Sequence, residues 1–163
     1  MAPGFITSTE LASFFLSQNP QADKKEVLKL ATYYVYEGTT EGVNYAVAFA
    51  QMCLETGYLR FGNLVTAQMH NYCGLGAIDE QNRGESFESM QLGVRAHIQH
   101  LHAYGTKEDQ VLKNALIDPR YSWPHKTRYI ETIEGLSTTW ATDPQYASKI
   151  ENILQKMEEH LNL

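Results

Sequence analysis

Apolar residues recur at the three- and four-residue spacing of an α-helix along most of the chain, and capping signals divide this pattern into separate helices. Thr7–Glu10 is a capping box, in which a threonine and a glutamate three residues apart satisfy each other's backbone N–H groups. Asn19-Pro20 ends this first helix, and Gly38 ends the second. Thr39–Glu41 then opens a third helix, with Glu41 at the positive end of the helix dipole.

The second half of the chain shows further helical patterns of unequal strength. Met90–Leu101 and Tyr146–Leu161 are the clearest, and Asp143-Pro144 supplies a cap and a first-turn proline for the latter. Lys107–Ile117 predicts a short helix, and Tyr129–Trp140 predicts a weak one. Helices therefore account for most of the predicted structure.

One polar segment interrupts these helices. Residues 79–89 (DEQNRGESFES) have only Phe87 as an apolar anchor, and they are the one place where the sequence allows a small β-hairpin or extended lobe, over about 71–89. A length of 163 residues suits one domain with one core, and neither a repeat nor a linker divides the chain. We predict a single domain over residues 1–163, of the α+β class and predominantly α-helical.

Composition excludes several classes of protein. An apolar fraction of 43% and a charged fraction of 20% are typical of a soluble globular domain. The net charge of −6 argues against nucleic acid as a partner, because phosphate binding needs a basic surface. No apolar run reaches the ~18 residues that cross a bilayer, so we expect no membrane span. The N-terminal residues lack a basic region followed by an apolar one, and we expect no signal peptide there.

Cysteine and histidine residues suggest no metal site. Cys53 and Cys73 are the only cysteines, and we expect two free buried thiols rather than a disulfide. His97, His100 and His102 lie close together, but no His-Glu-x-x-His pattern accompanies them. We expect a polar helix face with one buried, hydrogen-bonded histidine, and neither a metal nor a cofactor.

The clearest candidate chemistry lies in segment 44–78. The third helix ends by presenting Glu55, and Gly57 follows where a helix commonly stops. Glu55 falls beside the apolar stripe of this helix, near Gln51, so it can lie at the rim of the core. Partial desolvation and the negative end of the helix dipole would both raise its pKa, as a general acid requires. The alternative is a solvated glutamate at a helix end.

Six sequence elements follow one another in a recognisable order. They are LETG, a Phe-Gly-Asn loop, NYCGLGA, GVRAHIQHLHAY, IDPRY and WATDPQYASKI. From Thr7 to Met157 the chain thereby resembles bacterial glucosaminidase domains of glycoside hydrolase family 73, the endo-β-N-acetylglucosaminidases of peptidoglycan. The resemblance implies a lysozyme-like fold, in which a helical lobe and a small β lobe flank a glycan cleft.

The resemblance also implies an activity and a set of site residues. The bond cleaved would be the β-1,4 linkage between N-acetylglucosamine and N-acetylmuramic acid in peptidoglycan glycan strands, outside the cytoplasm, and we expect a monomer to cleave it. Glu55 matches the family's catalytic acid, and Tyr146 matches a tyrosine that faces the active site. The family's cleft-lining Asn-Phe-x-Gly-x-Gly turn is matched by Asn71, Tyr72, Gly74 and Gly76, with Tyr72 where phenylalanine is usual and Cys73 where a small apolar residue is usual.

Glycoside hydrolysis usually pairs the acid with a second carboxylate. Glu85 is the first candidate and Asp79 the second; Glu80 and Glu88 lie in the same polar segment. A further route uses the substrate's own 2-acetamido oxygen, with Tyr146 orienting that group or stabilising the developing positive charge. These alternatives leave the stereochemical outcome open.

Additional substrate contacts are expected around the acid. Gln51 lies on the same side of its helix as Glu55. Aromatic side chains serve as platforms for sugar rings, and the candidates are Tyr58, Tyr72, Trp123, Tyr129 and Tyr146.

Three other functions suit parts of the sequence. A lytic transglycosylase or a muramidase would share the lone glutamate but release different fragments. A non-catalytic glycan-binding module would keep the cleft without the activity. A cysteine hydrolase would need Cys73 or Cys53 beside His70, and no third residue that could orient the histidine is evident.

Overall fold

A computed structural model describes residues 6–105, 112–121, 133–137, 140–141 and 143–163 of the chain. Within these ranges the α-helices are α1 (Ser8–Gln18), α2 (Lys24–Glu41), α3 (Tyr45–Thr56), α4 (Met90–Gly105) and α5 (Tyr146–Leu161). Short 3₁₀ helices cover Ala67–Met69 and Ile133–Leu136. The prediction of a predominantly helical chain is confirmed. None of the described helices is long and apolar enough to cross a membrane.

Helix α3 lies at the centre of the fold. It packs against α1, α2, α4 and α5, and ten of its twelve residues are buried. Small side chains such as Ala48 and Ala50 allow this close packing, because they let the neighbouring helices approach. Only the last turn of α3 reaches the surface, and Glu55 lies there.

Two capping predictions are confirmed. Thr7 and Glu10 form the predicted capping box, in which each side chain accepts the other residue's backbone N–H at 3.1 Å. Gly57 ends α3 in the left-handed conformation with φ 57°. Both signals act between neighbours in sequence, so the sequence alone could identify them.

The boundary between the second and third helices differs from the prediction. Helix α2 continues through Gly38 and ends at Glu41 with Gly42 as its C-cap, and Asn44 rather than Thr39 caps α3. A Cβ atom on Gly38 would lie 2.6 Å from the Cβ of Tyr45. The glycine at position 38 therefore permits a close approach between α2 and the start of α3, and it does not stop the helix.

Glu41 consequently has a different environment from the predicted one. It lies at the C-terminal end of α2, where it accepts the backbone N–H groups of Lys113 and Asn114 at 2.8 and 3.2 Å. One turn earlier, the fully buried Glu37 forms an ion pair with Arg95 of α4 at 2.9 Å. The described part of the predicted helix Lys107–Ile117, residues 112–117, is an irregular segment that these carboxylates hold against α2. Of the predicted helix Tyr129–Trp140, the described part contains only the 3₁₀ turn.

The predicted β-hairpin is not confirmed. The described residues contain no β-sheet, only an isolated bridge between Ser137 and Ala141. Segment 71–89 instead folds as turns and extended chain, held by a few backbone bonds such as Glu85 N–H to the Leu75 carbonyl at 2.8 Å. Residues 79–89 have no β-branched side chain and no alternating apolar face, and both features disfavour a stable strand pair.

The three histidines of α4 are all buried, so the prediction of a polar helix face with a single buried histidine is wrong. His97, His100 and His102 are 0%, 6% and 8% exposed. His100 pairs with the buried Asp118 at 2.6 Å, and His102 contacts the Tyr121 hydroxyl at 2.9 Å. Within the described ranges, no cluster of histidine, cysteine, aspartate or glutamate is arranged to hold a metal ion.

Candidate active site

A groove opens at the C-terminal end of α3. It has a volume of about 440 Å³, including space open to solvent. Three parts of the chain form it: the end of α3, the loop that follows, and the turn 71–77. Its lining residues are Glu55, Thr56, Phe61, Asn63, Leu64, Val65, Asn71, Gly74 and Ala77. Glu55, the candidate acid predicted from the sequence, therefore lines this groove.

The loop after α3 has an unusual backbone. Beyond Gly57, three residues with side chains adopt left-handed conformations: Tyr58 (φ 56°), Leu59 (φ 64°) and Phe61 (φ 55°). Such conformations are unfavourable for residues with a Cβ atom and are concentrated at functional sites. Thr56 helps to hold the loop, because its hydroxyl accepts the Leu59 N–H at 2.9 Å.

Asn71 organises the facing turn. Its buried side-chain amide donates to the carbonyls of Leu75 and Glu85 at 2.9 and 3.0 Å, and its oxygen accepts the Leu75 N–H at 3.0 Å. Gly74 and Gly76 take positive φ angles of 68° and 75° in this turn. A Cβ atom on Gly74 would lie 3.1 Å from Oε2 of Glu55. The glycine therefore lets the turn approach the acid closely.

Glu55 combines partial burial with one strong hydrogen bond. The Tyr146 hydroxyl donates to its Oε1 at 2.6 Å. Burial raises the pKa of Glu55 above its ordinary value, and the donated hydrogen bond lowers it by a smaller amount. The raised pKa matches the expectation from sequence and favours a carboxyl group that keeps its proton at a higher pH than a solvated glutamate.

Tyr146 and Gln51 lie behind the acid and not in the groove. Tyr146 is 4% exposed, and burial together with the nearby Glu55 raises the pKa of its phenol well above the ordinary range. Gln51 is fully buried and donates to the Tyr146 hydroxyl at 2.8 Å. The polar atoms of Gln51 bind other side chains inside the protein, and its predicted contact with substrate stays a prediction.

Two further residues extend this arrangement, and the sequence analysis assigned neither of them to the candidate site. His97 approaches Oε1 of Gln51 with its Nε2 at 2.8 Å, and the Tyr34 hydroxyl approaches its Nδ1 at 2.7 Å. Burial lowers the pKa of His97 to about 3, so the ring is neutral. A signal existed: His97 lies three residues after Val94 and four before Leu101, on the apolar face of α4. A polar side chain on such a face requires a buried partner.

The two candidates for a second carboxylate lie in the loop region outside the groove lining. Glu85 forms an ion pair with Arg120 at 3.4 Å, and both side chains are partly exposed. These two side chains pack over Gly76, where a Cβ atom would lie 3.0 Å from Arg120 Nε and 3.3 Å from Glu85 Cγ. Asp79 is exposed, and its carboxylate caps a turn by accepting the N–H groups of Gln81 and Asn82 at 3.0 and 2.9 Å.

Among the predicted aromatic platforms that the structure describes, Tyr72 and Tyr146 are buried and Tyr58 is partly buried. The ring of Tyr58 packs edge-on against Phe14 and Phe15, with centroids 6.3 and 5.6 Å away, and burial raises its pKa to about 12. Tyr72 is 3% exposed and is not among the described residues that line the groove, and its predicted contact with substrate stays a prediction. Tyr129 and Trp123 lie outside the described residues. Among the described residues, Phe61 supplies an aromatic side chain to the groove lining.

The thiols have the properties of core residues. Cys53 and Cys73 are free and buried, as expected, and burial raises the pKa of both well above the ordinary value. A thiol in this state is a poor nucleophile. His70, the proposed base of a cysteine hydrolase, has its Nδ1 atom 3.4 Å from the Tyr72 hydroxyl. The geometry therefore speaks against cysteine chemistry.

Comparison with known proteins gives a family match. The family model described as "Glucosaminidase: Mannosyl-glycoprotein endo-beta-N-acetylglucosaminidase" matches residues 31–159. An uncharacterized protein of Borreliella burgdorferi is 39% identical over 153 residues, covering 94% of this chain and 74% of the relative. No solved structure matches the chain significantly.

Proposed function

The chain belongs to the glucosaminidase family, and on that basis we propose that it is a peptidoglycan hydrolase with Glu55 as its general acid. The bond cleaved is the β-1,4 linkage between N-acetylglucosamine and N-acetylmuramic acid. The family description names a mannosyl-glycoprotein substrate, so the assignment of peptidoglycan as the substrate is part of our proposal. It rests on the resemblance of LETG, NYCGLGA and WATDPQYASKI to bacterial wall-degrading domains. Glycan strands outside the cytoplasmic membrane are then the partner.

The raised pKa of Glu55 and its position in the groove are the main support for this proposal. A general acid must hold a proton at working pH and lie within reach of the leaving oxygen. Glu55 has a raised pKa because of burial, and it lines an open groove with its Oε2 beside Gly74. Its proton would pass to the glycosidic oxygen as the bond to the anomeric carbon breaks. A non-catalytic module would not require a partly buried glutamate with these properties.

Two routes supply the group that attacks the anomeric carbon. In one, Glu85 leaves its ion pair with Arg120 and activates a water molecule, which inverts the configuration. In the other, the 2-acetamido oxygen of the substrate attacks, and the configuration is retained. Glu85 does not line the groove, which favours the second route, and Asp79 is occupied as a turn cap. The anomeric configuration of the first product, observed by proton NMR, separates the two.

The decisive experiment compares Glu55→Gln with the wild-type protein on purified cell walls. Reducing-end release should fall by at least about 10²-fold, the usual contribution of general acid catalysis. Release within about tenfold of wild type, equivalent to ~1.4 kcal/mol, would show that Glu55 is not the acid. Glu151→Gln makes the same chemical change at an exposed position on α5 and serves as the matched control.

Mass spectrometry of borohydride-reduced fragments identifies the bond. Reduced N-acetylglucosamine ends are expected. Reduced N-acetylmuramic acid ends would indicate a muramidase, and 1,6-anhydro ends a lytic transglycosylase. Release from a high-mannose glycoprotein but not from cell walls would support the substrate in the family description. Binding to cell walls without release, by the wild-type protein, would indicate a glycan-binding module.

A further inference from the structure

Behind Glu55, a line of five buried or half-buried side chains crosses four helices. It runs from Tyr34 on α2 to His97 on α4, then to Gln51 on α3 and Tyr146 on α5, and ends at Glu55 on α3. The successive distances are 2.7, 2.8, 2.8 and 2.6 Å. Tyr34, His97 and Gln51 are each fully buried. Only the last member of the line, Glu55, reaches the groove.

Hydrogen-bond chemistry gives this line a single direction. Among the described residues, the hydroxyl of Tyr34 has His97 Nδ1 as its one hydrogen-bond partner. A buried hydroxyl must donate its proton, so Tyr34 donates to Nδ1, and the neutral ring carries its own proton on Nε2. His97 Nε2–H then donates to the Gln51 oxygen, which turns the Gln51 amide nitrogen toward Tyr146.

The same logic determines the role of Tyr146. Its hydroxyl oxygen accepts the Gln51 N–H at 2.8 Å, so its own proton points to Oε1 of Glu55. An oxygen that already accepts a short hydrogen bond is the carbonyl oxygen of a protonated carboxyl group. The acidic proton is therefore placed on the other oxygen, Oε2, which lies beside Gly74 at the groove.

We propose that Tyr34, His97 and Gln51 are positioning residues that hold Tyr146 as a donor to Oε1 of Glu55 and so confine the catalytic proton to Oε2. This inference rests on the proposed role of Glu55 as the acid. It assigns a function to three interior residues that touch no substrate. Their effect is to keep the reactive proton on the side of the carboxyl group where the glycosidic oxygen binds.

Other titratable groups near this line of side chains do not change which atoms donate and which accept hydrogen bonds along it. Besides burial, the hydrogen bond from Tyr146 on α5 is the influence that shifts the pKa of Glu55, and Glu55 in turn raises the pKa of the Cys73 thiol in the turn 71–77. His97 faces Tyr34 on α2 and His100 on its own helix. Cys73 is buried and has a raised pKa, so it is a neutral thiol at the pH of the experiment below.

Gln51→Leu removes the donor to Tyr146 while keeping a side chain of similar size. Tyr146 then becomes a weaker and less well oriented donor, because hydrogen bonds in a line polarise one another. The hydrogen bond that Tyr146 donates to Glu55 lowers the pKa of Glu55. Because this bond is weaker in the variant, the carboxyl group of Glu55 should titrate at higher pH. The basic limb of the kcat profile should move in the same direction, and kcat should fall about tenfold or more with KM within about twofold.

The titration can be observed without any activity. Glutamate labelled with ¹³C at the carboxyl carbon gives one NMR signal per residue, and Glu55→Gln identifies the signal of Glu55 by its loss. Gln99→Leu is the matched control: Gln99 is fully buried on α4 and bonds the backbone of residues 115–118. This control should lower stability but leave the titration of Glu55 and the ratio of kcat to KM unchanged. Gln51→Met repeats the test should Gln51→Leu not fold.

Each outcome has a distinct meaning. A shift in the Gln51 variants and none in Gln99→Leu supports the inference. An unchanged Glu55 titration and kcat in the Gln51 variants, with Glu55→Gln inactive, overturns the positioning role and leaves the general acid in place. Full activity in Glu55→Gln overturns the proposed function, while the NMR titration still reports whether Gln51 acts on Glu55. Equal shifts in Gln51→Leu and Gln99→Leu would indicate general loosening of the fold and contradict the inference.

Discussion

The hydroxyl of Tyr146 donates to Oε1 of Glu55 at 2.6 Å, although the two residues are 91 positions apart in the chain. Helix α5 brings the tyrosine to the end of α3, where the carboxyl group leaves the core. Burial raises the pKa of Glu55, and Tyr146 moderates this effect. Tyr146 therefore influences how readily Glu55 ionises, and in the arrangement proposed above it leaves the proton of Glu55 on Oε2.

Tyr146→Phe should make Glu55 harder to ionise. The variant removes a hydrogen bond that lowers the pKa of Glu55, so the basic limb of the pH–rate profile should move to higher pH. We expect kcat to fall by about 10- to 100-fold, because the proton is no longer confined to Oε2. Tyr36→Phe, at an exposed position on α2, should change neither the basic limb of the pH–rate profile nor kcat. An unaltered basic limb in Tyr146→Phe would contradict the role of this hydrogen bond.

Glu55→Gln should stabilise the protein at neutral pH. The folded-state pKa of Glu55 lies above its ordinary value of 4.5, so the folded protein binds more protons than the unfolded chain between these two values. The contribution of Glu55 to stability is thus fully present below pH 4.5 and is lost as the pH rises through the folded-state pKa. We expect Glu55→Gln to raise Tm at pH 7 by about 2 °C or more and to have little effect at pH 3.5. The measurement is thermal unfolding by circular dichroism, with Glu151→Gln as control; a Tm change that is equal at both pH values would refute the expectation.

Acid should destabilise the fold through His97. Its folded-state pKa of about 3 lies below the ordinary value of 6.5, so the unfolded chain binds more protons between these values. Stability contributed by the neutral ring is present above pH 6.5 and falls as the pH drops, by at most ~1.4 kcal/mol for each pH unit. His97→Gln should remove this dependence, whereas His160→Gln, at an exposed position on α5, should not.

Urea unfolding at several pH values from 4 to 7 measures this effect as the difference in free energy between each variant and the wild-type protein. If the free energy of unfolding depends on pH in the same way for His97→Gln and the wild-type protein, His97 is not protonated on acid unfolding.

Gly74→Ala should impair activity more than its effect on stability implies. The new Cβ atom would lie 3.1 Å from Oε2 of Glu55, and the residue has φ +68°. Gly42→Ala is a matched control, because Gly42 has φ +72° but open space around its Cβ position. Both variants should lose about 1 kcal/mol or somewhat more from the left-handed backbone. Only Gly74→Ala should lower kcat on cell walls, by about tenfold or more. If Gly74→Ala and Gly42→Ala have equal stability and equal activity, the contact between the new Cβ atom and Glu55 has no effect on catalysis.

Some differences from the sequence-based prediction have a common origin. Gly38 looked like a helix stop, but it lies inside α2, where Tyr45 approaches it closely. Tyr72 and Gln51 looked like residues of the cleft, but both are buried. The periodicity of a helix tells which side a residue faces, and it does not tell which other element covers that side.

The sequence by itself determined what depends on neighbours along the chain: the predominantly helical character, the capping box of α1, the stop at Gly57 and the position of Glu55 at a helix end beside the core. These features follow from backbone geometry and from side chains three or four residues apart, so a local pattern is enough. Tertiary structure alone decided the partners of the acid. Tyr34, Gln51, His97 and Tyr146 come from four helices, and a buried polar group can satisfy its hydrogen bonds with any residue that packing brings within 3 Å.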